Sequence, residues 1–593
     1  FMDSAYAAGI LHLVLGSFLL WIVPAQLVFF ADLVAFPVSL FFSVRSIVSI
    51  WCLKKAPTTA HVYIDKKEGE EEPLHVQAND GSTTVVAQTT ARSSIRNHQA
   101  TKRSKDSIPG APLRAQNNPP MIIETKRKVP LMRVIMLVAQ LALFAMVLDF
   151  VYRPLVFPGK DLVVFRPGYV SHEAAKLHIR YPRQEHLEIR YRASGQNMPW
   201  ESAGGLDPPT ELTDFTTTVD LVNLRPSTKY QVELLSSQAT VRADAVLLET
   251  AEFKTAPTPH SPTRMRFGTG SCIKPNFPYQ LTTSPDIYGF ASMLDHSDNL
   301  DMIMFMGDFI YADVPLYFGT TVEDYRRLYR QVYMTKSARR LVSRVPMLHV
   351  YDDHEIKNNW HNQNDAPMGN AMVAYSEYNG APNPPAELPG RSFYNFTHGN
   401  IAFYAWDTRR YRTRWEDGSE KSSEATMLGD EQKTDFIRWL AKVNHTAAVK
   451  FVISSVPVTT AWSNFDSGQD TWRGYPTERN EILELTKYVP NLFFLSGDRH
   501  EMAAVELPSG NIEFSTSPIS QFTFPFVGKF KRNVDGEKTL HYRRPGHVKY
   551  GIIDVDTQTD PDIPRITYSL YTTDVDNGLR PAWTYEAKGI PWV

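Results

Sequence analysis

The sequence of 593 residues predicts an α/β domain of stacked layers, preceded by a small β-sandwich and, before that, by apolar helices. Three observations carry this expectation. Short apolar runs at Met302–Met306, Pro346–Val350 and Leu492–Leu495 end on turn residues, as buried strands do. Residues 161–255 alternate apolar and polar side chains with period two, the pattern of half-buried strands. The hydrophobic content of 43% is spread unevenly, with long apolar runs near the N-terminus.

Residues 5–51 are almost uncharged and too long for a single crossing, which takes about 20 residues. Pro24 and Asp32 divide the stretch, so residues 1–52 read as a hairpin of two membrane helices and not as a cleaved signal peptide. Residues 53–128 have no periodic hydrophobicity and are rich in Ser, Thr, Asn, Gln, Pro and charge, a composition that cannot bury a core. They read as a disordered loop. A third span covers residues 129–152, interrupted by Arg133 near its start. Lys54-Lys55 and Lys126-Arg127-Lys128 abut the spans, and positive flanks stay cytoplasmic. The loop is therefore expected inside and everything after the third span outside the cell or in a lumen, making this an integral membrane protein. Two triplets there, beginning at Asn395 and Asn444, permit glycosylation. Only Cys52 and Cys272 exist, on opposite sides of the expected membrane, so no disulfide joins them. A single thiol in an oxidising compartment is most simply a metal ligand.

Residues 160–257 form the expected β-sandwich, with alternation in Leu177–Tyr181, Leu187–Tyr191 and Tyr230–Leu234 and turn signals at Ser194-Gly195, Gly204-Gly205 and Arg225-Pro226-Ser227. Leu224–Tyr230 resembles the fibronectin type III approach to a strand, with the Tyr anchoring a corner. The sandwich is expected to pack against the catalytic part and shape substrate access. A Pro-rich linker ending at Pro262 leads into the catalytic part, residues 263–593. Net charge is −2 with a pI near 6.8 and no long basic stripe, which leaves nucleic acid unsupported as a dedicated partner.

Four segments carry the chemistry: Gly270-Ser271-Cys272, Gly307-Asp308-Phe309-Ile310-Tyr311, Tyr351-Asp352-Asp353-His354-Glu355 and Gly497-Asp498-Arg499-His500. They supply a thiol, several carboxylates, a phenol and two imidazoles at the ends of apolar runs, where a layered α/β fold opens a crevice. Four ionisable residues in a row after a buried strand are costly without metals or partners. Carboxylates bridge cations, and a phenolate or thiolate favours an acidic or thiophilic ion. Asp308 is the best bridging candidate, because a tight turn can aim it and Tyr311 at one ion. The set reads as the inner shell of a two-metal hydrolase.

From about Phe165 onward these residues, together with Trp406–Arg412, Met427-Leu428-Gly429, Gln432, Asp470–Tyr475 and Glu478-Arg479, resemble the PhoD-like metallophosphatases, or alkaline phosphatase D family, relatives of the purple acid phosphatases. The resemblance implies a metallophosphoesterase four-layer α/β sandwich behind the small β-domain, with an Fe3+ and Ca2+ site; Zn2+ or Mn2+ is the alternative. It assigns Cys272, Asp308, Tyr311 and Asp498 to iron, with Asp308 shared by a second metal that Asp353 helps to bind. Asn358 or Asn359 falls where relatives carry asparagines near calcium, Asn358 being the first of the two. His354 would face the leaving group and His500 the phosphate or cluster. Arg499 stands where the family has a short aliphatic residue, as a surface charge or as a contact to an anionic substrate. Trp462, Trp472, Tyr475 and Trp415 could line the cleft or pack in the core, and Trp472 is the candidate substrate contact.

The function expected is hydrolysis of phosphodiesters, phosphomonoesters or both by a metal-activated hydroxide outside the cytoplasm, with His354 as general acid. A phospholipase D type diesterase is the alternative within enzymes. An inactive membrane-anchored binding or scaffold protein is the alternative outside them. The membrane tether suggests a phosphate ester linked to lipid or glycan.

Overall fold

In the computed structural model the region from Arg264 onward is built on two stacked sheets, several of whose central strands are apolar on both faces. The structure describes residues 131–593 except 184, 196–197, 238–245, 278, 280, 282–284, 315, 318, 415–421, 464–465, 524–529 and 593, with two-residue pieces at 10–11, 40–41, 75–76 and 85–86. The expected helical hairpin, and nearly all of the expected polar loop, lie outside the described residues. Residues from Ala142 onward fall in one unit.

The first sheet has six strands in the order Met347–Val350, Met302–Met306, Arg264–Gly270, Lys549–Asp556, Arg565–Thr572, Trp583–Lys588. The first three pair in parallel, with Gly270 opposite Phe305 and Met306 opposite Val350, and the others pair antiparallel. The second sheet has seven, in the order Tyr394–His398, Ile401–Ala405, Val449–Ile453, Leu492–Ser496, Ile512–Thr516, Met502–Glu506, Lys538–Arg543. Its four central strands, from Ile401–Ala405 to Ile512–Thr516, are parallel. Alternation explains why the runs look uniformly apolar. Met302, Met304 and Met306 point into the core between the sheets, against Phe403, Phe451 and Phe514, while Ile303 and Phe305 face the helical layer on the other side. Likewise Ala402 and Tyr404 turn to the outer helices, with Phe436, Trp439 and Ile482. The result is a helix–sheet–sheet–helix stack.

The helix Val322–Tyr333 shows how local sequence sets an element's start. Thr321 accepts the Asp324 N–H while Asp324 returns a bond to the Thr321 N–H, a reciprocal cap that fixes the first turn.

Residues 164–254 form a three-stranded and a four-stranded antiparallel sheet sharing one core, which includes Leu177, Leu187, Val232 and Phe253. Tyr230 stacks on Phe253 and its hydroxyl accepts the Arg225 N–H at 2.9 Å. Buried charge ties these sheets to the catalytic region: Asp214 accepts from Arg180 at 3.0 Å and from Arg330 of the capped helix at 2.6 Å. Arg166 donates to the carbonyls of Met347 and Tyr378.

Among the described residues, one helix, Leu131–Val156, contains a stretch long and apolar enough to cross a membrane, Val134–Val156. Its N-terminal turns expose Leu131, Met132, Ile135 and Val138. Its C-terminal turns bury Leu143, Val147, Phe150 and Val151 against Phe277 and Tyr279, and Tyr279 donates to Asp149 at 2.8 Å.

Candidate metal centre

Each of the four motifs leaves the C-terminal end of a strand, three from the first sheet and one, Leu492–Ser496, from the second. The chain turns sharply there. Cys272, Asp308, Asp498 and His500 all have left-handed backbone, with φ of 64°, 59°, 71° and 58°. The glycines ahead of the two aspartates are steric requirements. A Cβ on Gly307 would lie 2.5 Å from Cβ of Asp352, and one on Gly497 would strike the Ser271 side chain.

These turns converge on Asp308. Its Oδ2 lies 3.2 Å from Cys272 Sγ and accepts from the Tyr311 hydroxyl at 3.1 Å. Three sets of possible ligand atoms lie within 4.8 Å of one another: Cys272, Asp308 and His500; Asp308, Asp353 and His354; and Asp308, Asp352, Asp353 and Asp498. Asp308 belongs to all three, which is the position of a bridging ligand. The Tyr311 hydroxyl also meets His500 Nε2 at 2.9 Å, and the Tyr311 ring stacks on His354 with centroids 4.2 Å apart.

The residues present fit bound cations. Asp308 Oδ1, Asp352 Oδ2 and Asp353 Oδ1 are buried with no hydrogen-bond partner, a costly state for a carboxylate unless an ion completes it. Burial, then the neighbouring carboxylates, push the Cys272 thiol and the Tyr311 phenol well above their usual ranges. Burial likewise raises Asp308, Asp353 and Asp498. A positive charge among these donors would favour their anionic forms.

His354 behaves differently. Burial alone would lower its pKa, but Asp313, Asp353 and Asp308 outweigh that and hold it well above the ordinary imidazole range. Its Nδ1 lies 2.6 Å from Asp313 Oδ1, and the other Asp313 oxygen accepts the Asn358 N–H at 2.7 Å. Of the two asparagines, Asn358 is exposed with its N–H on Asp313, whereas the Asn359 N–H reaches the Asp353 carboxylate.

Several residues have roles here that the sequence did not reveal. Asp313 is one. Glu355 is another: its carboxylate accepts the N–H groups of Asp308, Phe309 and Asp352, clamping two motif loops together. Arg409 is a third, fully buried, with Asp352 and Asp470 each at 2.5 Å and Asp353 at 3.5 Å. Each sits in or beside a motif, but its partner is set by loop conformation.

Two expectations are corrected. Arg499 is not a surface charge: it is 3% exposed and lies among Asp466 at 2.7 Å, Asp498 at 3.1 Å and Asp470 at 3.5 Å. It compensates buried carboxylates. Trp472 is 0% exposed, packed on Trp406 with Nε1 donating to Ser454, so it does not reach substrate. Trp462 and Tyr475 are core residues for the same reason. Trp415 lies outside the described residues.

Residues 270–561 match the family model of the PhoD-like phosphatases. Alkaline phosphatase D of Bacillus subtilis is 25% identical over 287 residues, covering 41% of this chain and 48% of that protein. The chain thus spans about half the length of this curated relative. A solved structure of PhoD superposes with a TM-score of 0.53 at 18% identity, covering 72% of this chain and 88% of that one. The purple acid phosphatase PPD1 from seeds of yellow lupin, Lupinus luteus, gives 0.51 at 13% identity, covering 72% and 74%. These two share the mixed α/β fold. Residues 270–561 are thus similar in sequence to the PhoD-like phosphatases.

Proposed function

We propose that this chain hydrolyses phosphodiesters, phosphomonoesters or both as a metal-dependent phosphoesterase, held at a membrane with its site outside the cytoplasm. The observation that carries the reading is Asp308, common to three overlapping donor sets and holding one buried oxygen without a partner. Cys272, Asp308, Tyr311 and Asp498 would hold Fe3+, and Asp308 with Asp353, helped by Asn358 or Asn359, would hold Ca2+. Such ions supply charge for the phosphate oxygens and lower the pKa of water.

The chain's own groups do the rest. Asp313 engages His354 Nδ1, which leaves Nε2 as the nitrogen able to give a proton to a departing alkoxide. Stacking on Tyr311 fixes the ring's plane. Glu355 holds the loops of Asp308 and Asp352 in register, and Arg409 and Arg499 offset the buried carboxylate of Asp470. The membrane tether is supported by the apolar helix within Leu131–Val156, and glycosylation at Asn395 and Asn444 by their triplets.

Elemental analysis of the purified protein, followed by turnover of mono- and diesters with calcium present or chelated, tests the reading. Iron in the protein, a visible phenolate-to-iron band lost in Tyr311→Phe, and calcium-dependent turnover are expected. Iron-free, colourless and fully active protein would refute the iron assignment. Loaded protein that turns over no ester would leave a binding or scaffold protein.

A further inference from the structure

Arg499 follows the donor Asp498 directly in the chain and turns back on it, Nη1 donating to Asp498 Oδ2 at 3.1 Å. Its Nη2 donates to Asp466 Oδ1 at 2.7 Å, and Nη1 lies 3.5 Å from Asp470 Oδ2. The three carboxylates are not equivalent. Asp498 belongs to the donor set of Asp308, Asp352 and Asp353. Asp470 is closed in the interior, where Arg409 also donates to it at 2.5 Å. Asp466 meets water, its side chain being 35% exposed against 1% for Asp470. A guanidinium, which cannot lose its charge, thus stands between a metal donor on one side and a solvent-facing carboxylate on the other. Burial pushes the Asp498 carboxyl up, Arg499 pulls it the other way, and Asp470, Asp352 and Asp353 add to the rise.

We propose that Arg499 is a positioning residue that acts through Asp498 to make the bound iron more electron-poor, and that Asp466 moderates it from the solvent side. The inference rests on the metal-dependent reading and adds how this chain sets the strength of its ion. A carboxylate that gives one oxygen to a charged hydrogen bond has less negative charge left for a metal. An ion bound through it is the stronger acid toward phosphate oxygens and the easier to reduce. Packing does not account for the arrangement, since an aliphatic side chain would fill the same place and need no carboxylates around it. Asp466 draws the guanidinium away from Asp498, so the two acids share one cation and the donor's charge depends on both.

The test uses the full chain loaded with iron and reads two quantities that need no turnover, the Fe3+/Fe2+ midpoint potential and the wavelength of the phenolate-to-iron band of Tyr311. Arg499→Leu removes the charge, so Asp498 donates more strongly. The potential is expected to fall by at least about 59 mV, tenfold in a one-electron equilibrium, and the band to move to shorter wavelength. Asp466→Asn strips the guanidinium of its solvent-side partner, so both quantities should move the opposite way by a smaller amount. Arg499→Lys keeps the charge and should stay nearer to wild type than Arg499→Leu. Iron content and unfolding midpoints are measured for each variant. A role in packing alone would move Arg499→Leu and Asp466→Asn in the same direction or not at all. Shifts of one sign in both, or no shift in either, therefore overturn the proposal and leave the iron assignment standing. Should Arg499→Leu not fold or load, the sign of the shift in Asp466→Asn decides, a rise in potential supporting the proposal and a fall or no change overturning it. A wild type that binds no iron overturns the iron assignment, and this proposal with it.

Discussion

Replacing Asp313 by Asn removes one charge while keeping the side chain's shape, and it separates proton donation from metal binding. Asp313 is 3% exposed, bonds His354 Nδ1 at 2.6 Å and is not among the clustered donors. Ions at the centre would offset the charge of Asp308 and Asp353, leaving Asp313 as the carboxylate that keeps His354 protonated. A hydrogen bond to a charged partner contributes about 1.5–3 kcal/mol, so the general-acid step should slow by roughly 10- to 150-fold. That is at or below the low end of the 10²- to 10⁴-fold that general acids contribute, so part of the proton transfer survives. An alkyl phosphate ester needs the proton, whereas a nitrophenyl ester leaves almost unaided. The assay is kcat/KM for both esters in wild type, Asp313→Asn and His354→Ala, with metal content measured alongside. The alkyl ester should lose the full factor and the nitrophenyl ester no more than about fivefold, given its small need for a donor. Because Asp313 raises the His354 pKa and the imidazole works protonated, the alkaline limb of the alkyl rate should also move to lower pH in Asp313→Asn. Equal losses on both esters at unchanged metal content would refute the general-acid assignment and leave His354 as a phosphate or metal contact.

Three other perturbations probe the scaffold. Arg409→Gln strands the buried carboxylates of Asp352 and Asp470 and should destabilise the fold by about 3–5 kcal/mol in denaturant titration; a loss under about 1 kcal/mol would mean those carboxylates are balanced by other groups. Gly307→Ala combines φ of +95° with a 2.5 Å approach to Asp352, so a cost of at least about 1–3 kcal/mol and loss of bound metal are expected; unchanged metal content would show that the loop can shift without disturbing the donors. His398, far from the motifs in sequence and buried, is lowered by burial to about 4 from the usual 6.5. The folded state therefore resists its protonation: the stability this confers is complete above pH 6.5 and is lost as pH falls toward 4, about 3 kcal/mol in all. The stability gap between wild type and His398→Gln should narrow by that amount between pH 7 and 4, and a constant gap would mean the ring is solvated.

What was legible in the chain follows from where each signal resides. The runs before Asp308, Asp352 and Asp498 are short, apolar and closed by Gly or charge, so strands and strand-end chemistry could be read directly. The donors could be named because Cys, Asp, Tyr and His in those places have few other reasons to be there. Pairing could not be read. Asp313 follows Tyr311 by two residues, yet nothing local says that it turns onto His354, and Arg409 meets carboxylates 57 and 61 residues away. Trp472 and Arg499 were misjudged for one reason: a residue next to a motif can face the site or the core, and only the backbone conformation decides which. Arg499 faces inward because Asp466, Asp470 and Asp498 already place negative charge there.

Four of the residues that carry donors also carry strain. Left-handed backbone at a non-glycine residue costs on the order of 1 kcal/mol or more, and Cys272, Asp308, Asp498 and His500 all adopt it. Buried carboxylates without partners add to that cost. The two sheets sustain it, because the strands that lead to Asp308, Asp352 and Asp498 are held on both faces by apolar core. Cation binding would relieve the charge but leave the turns unchanged, so the donors stay aimed at one point whether or not an ion is present. Preorganisation of this kind is what a site needs if it is to clamp phosphate oxygens without rearranging during the reaction. It also explains why local sequence preference fails at these residues: Gly or Asn would suit such turns better, and neither could supply the charge.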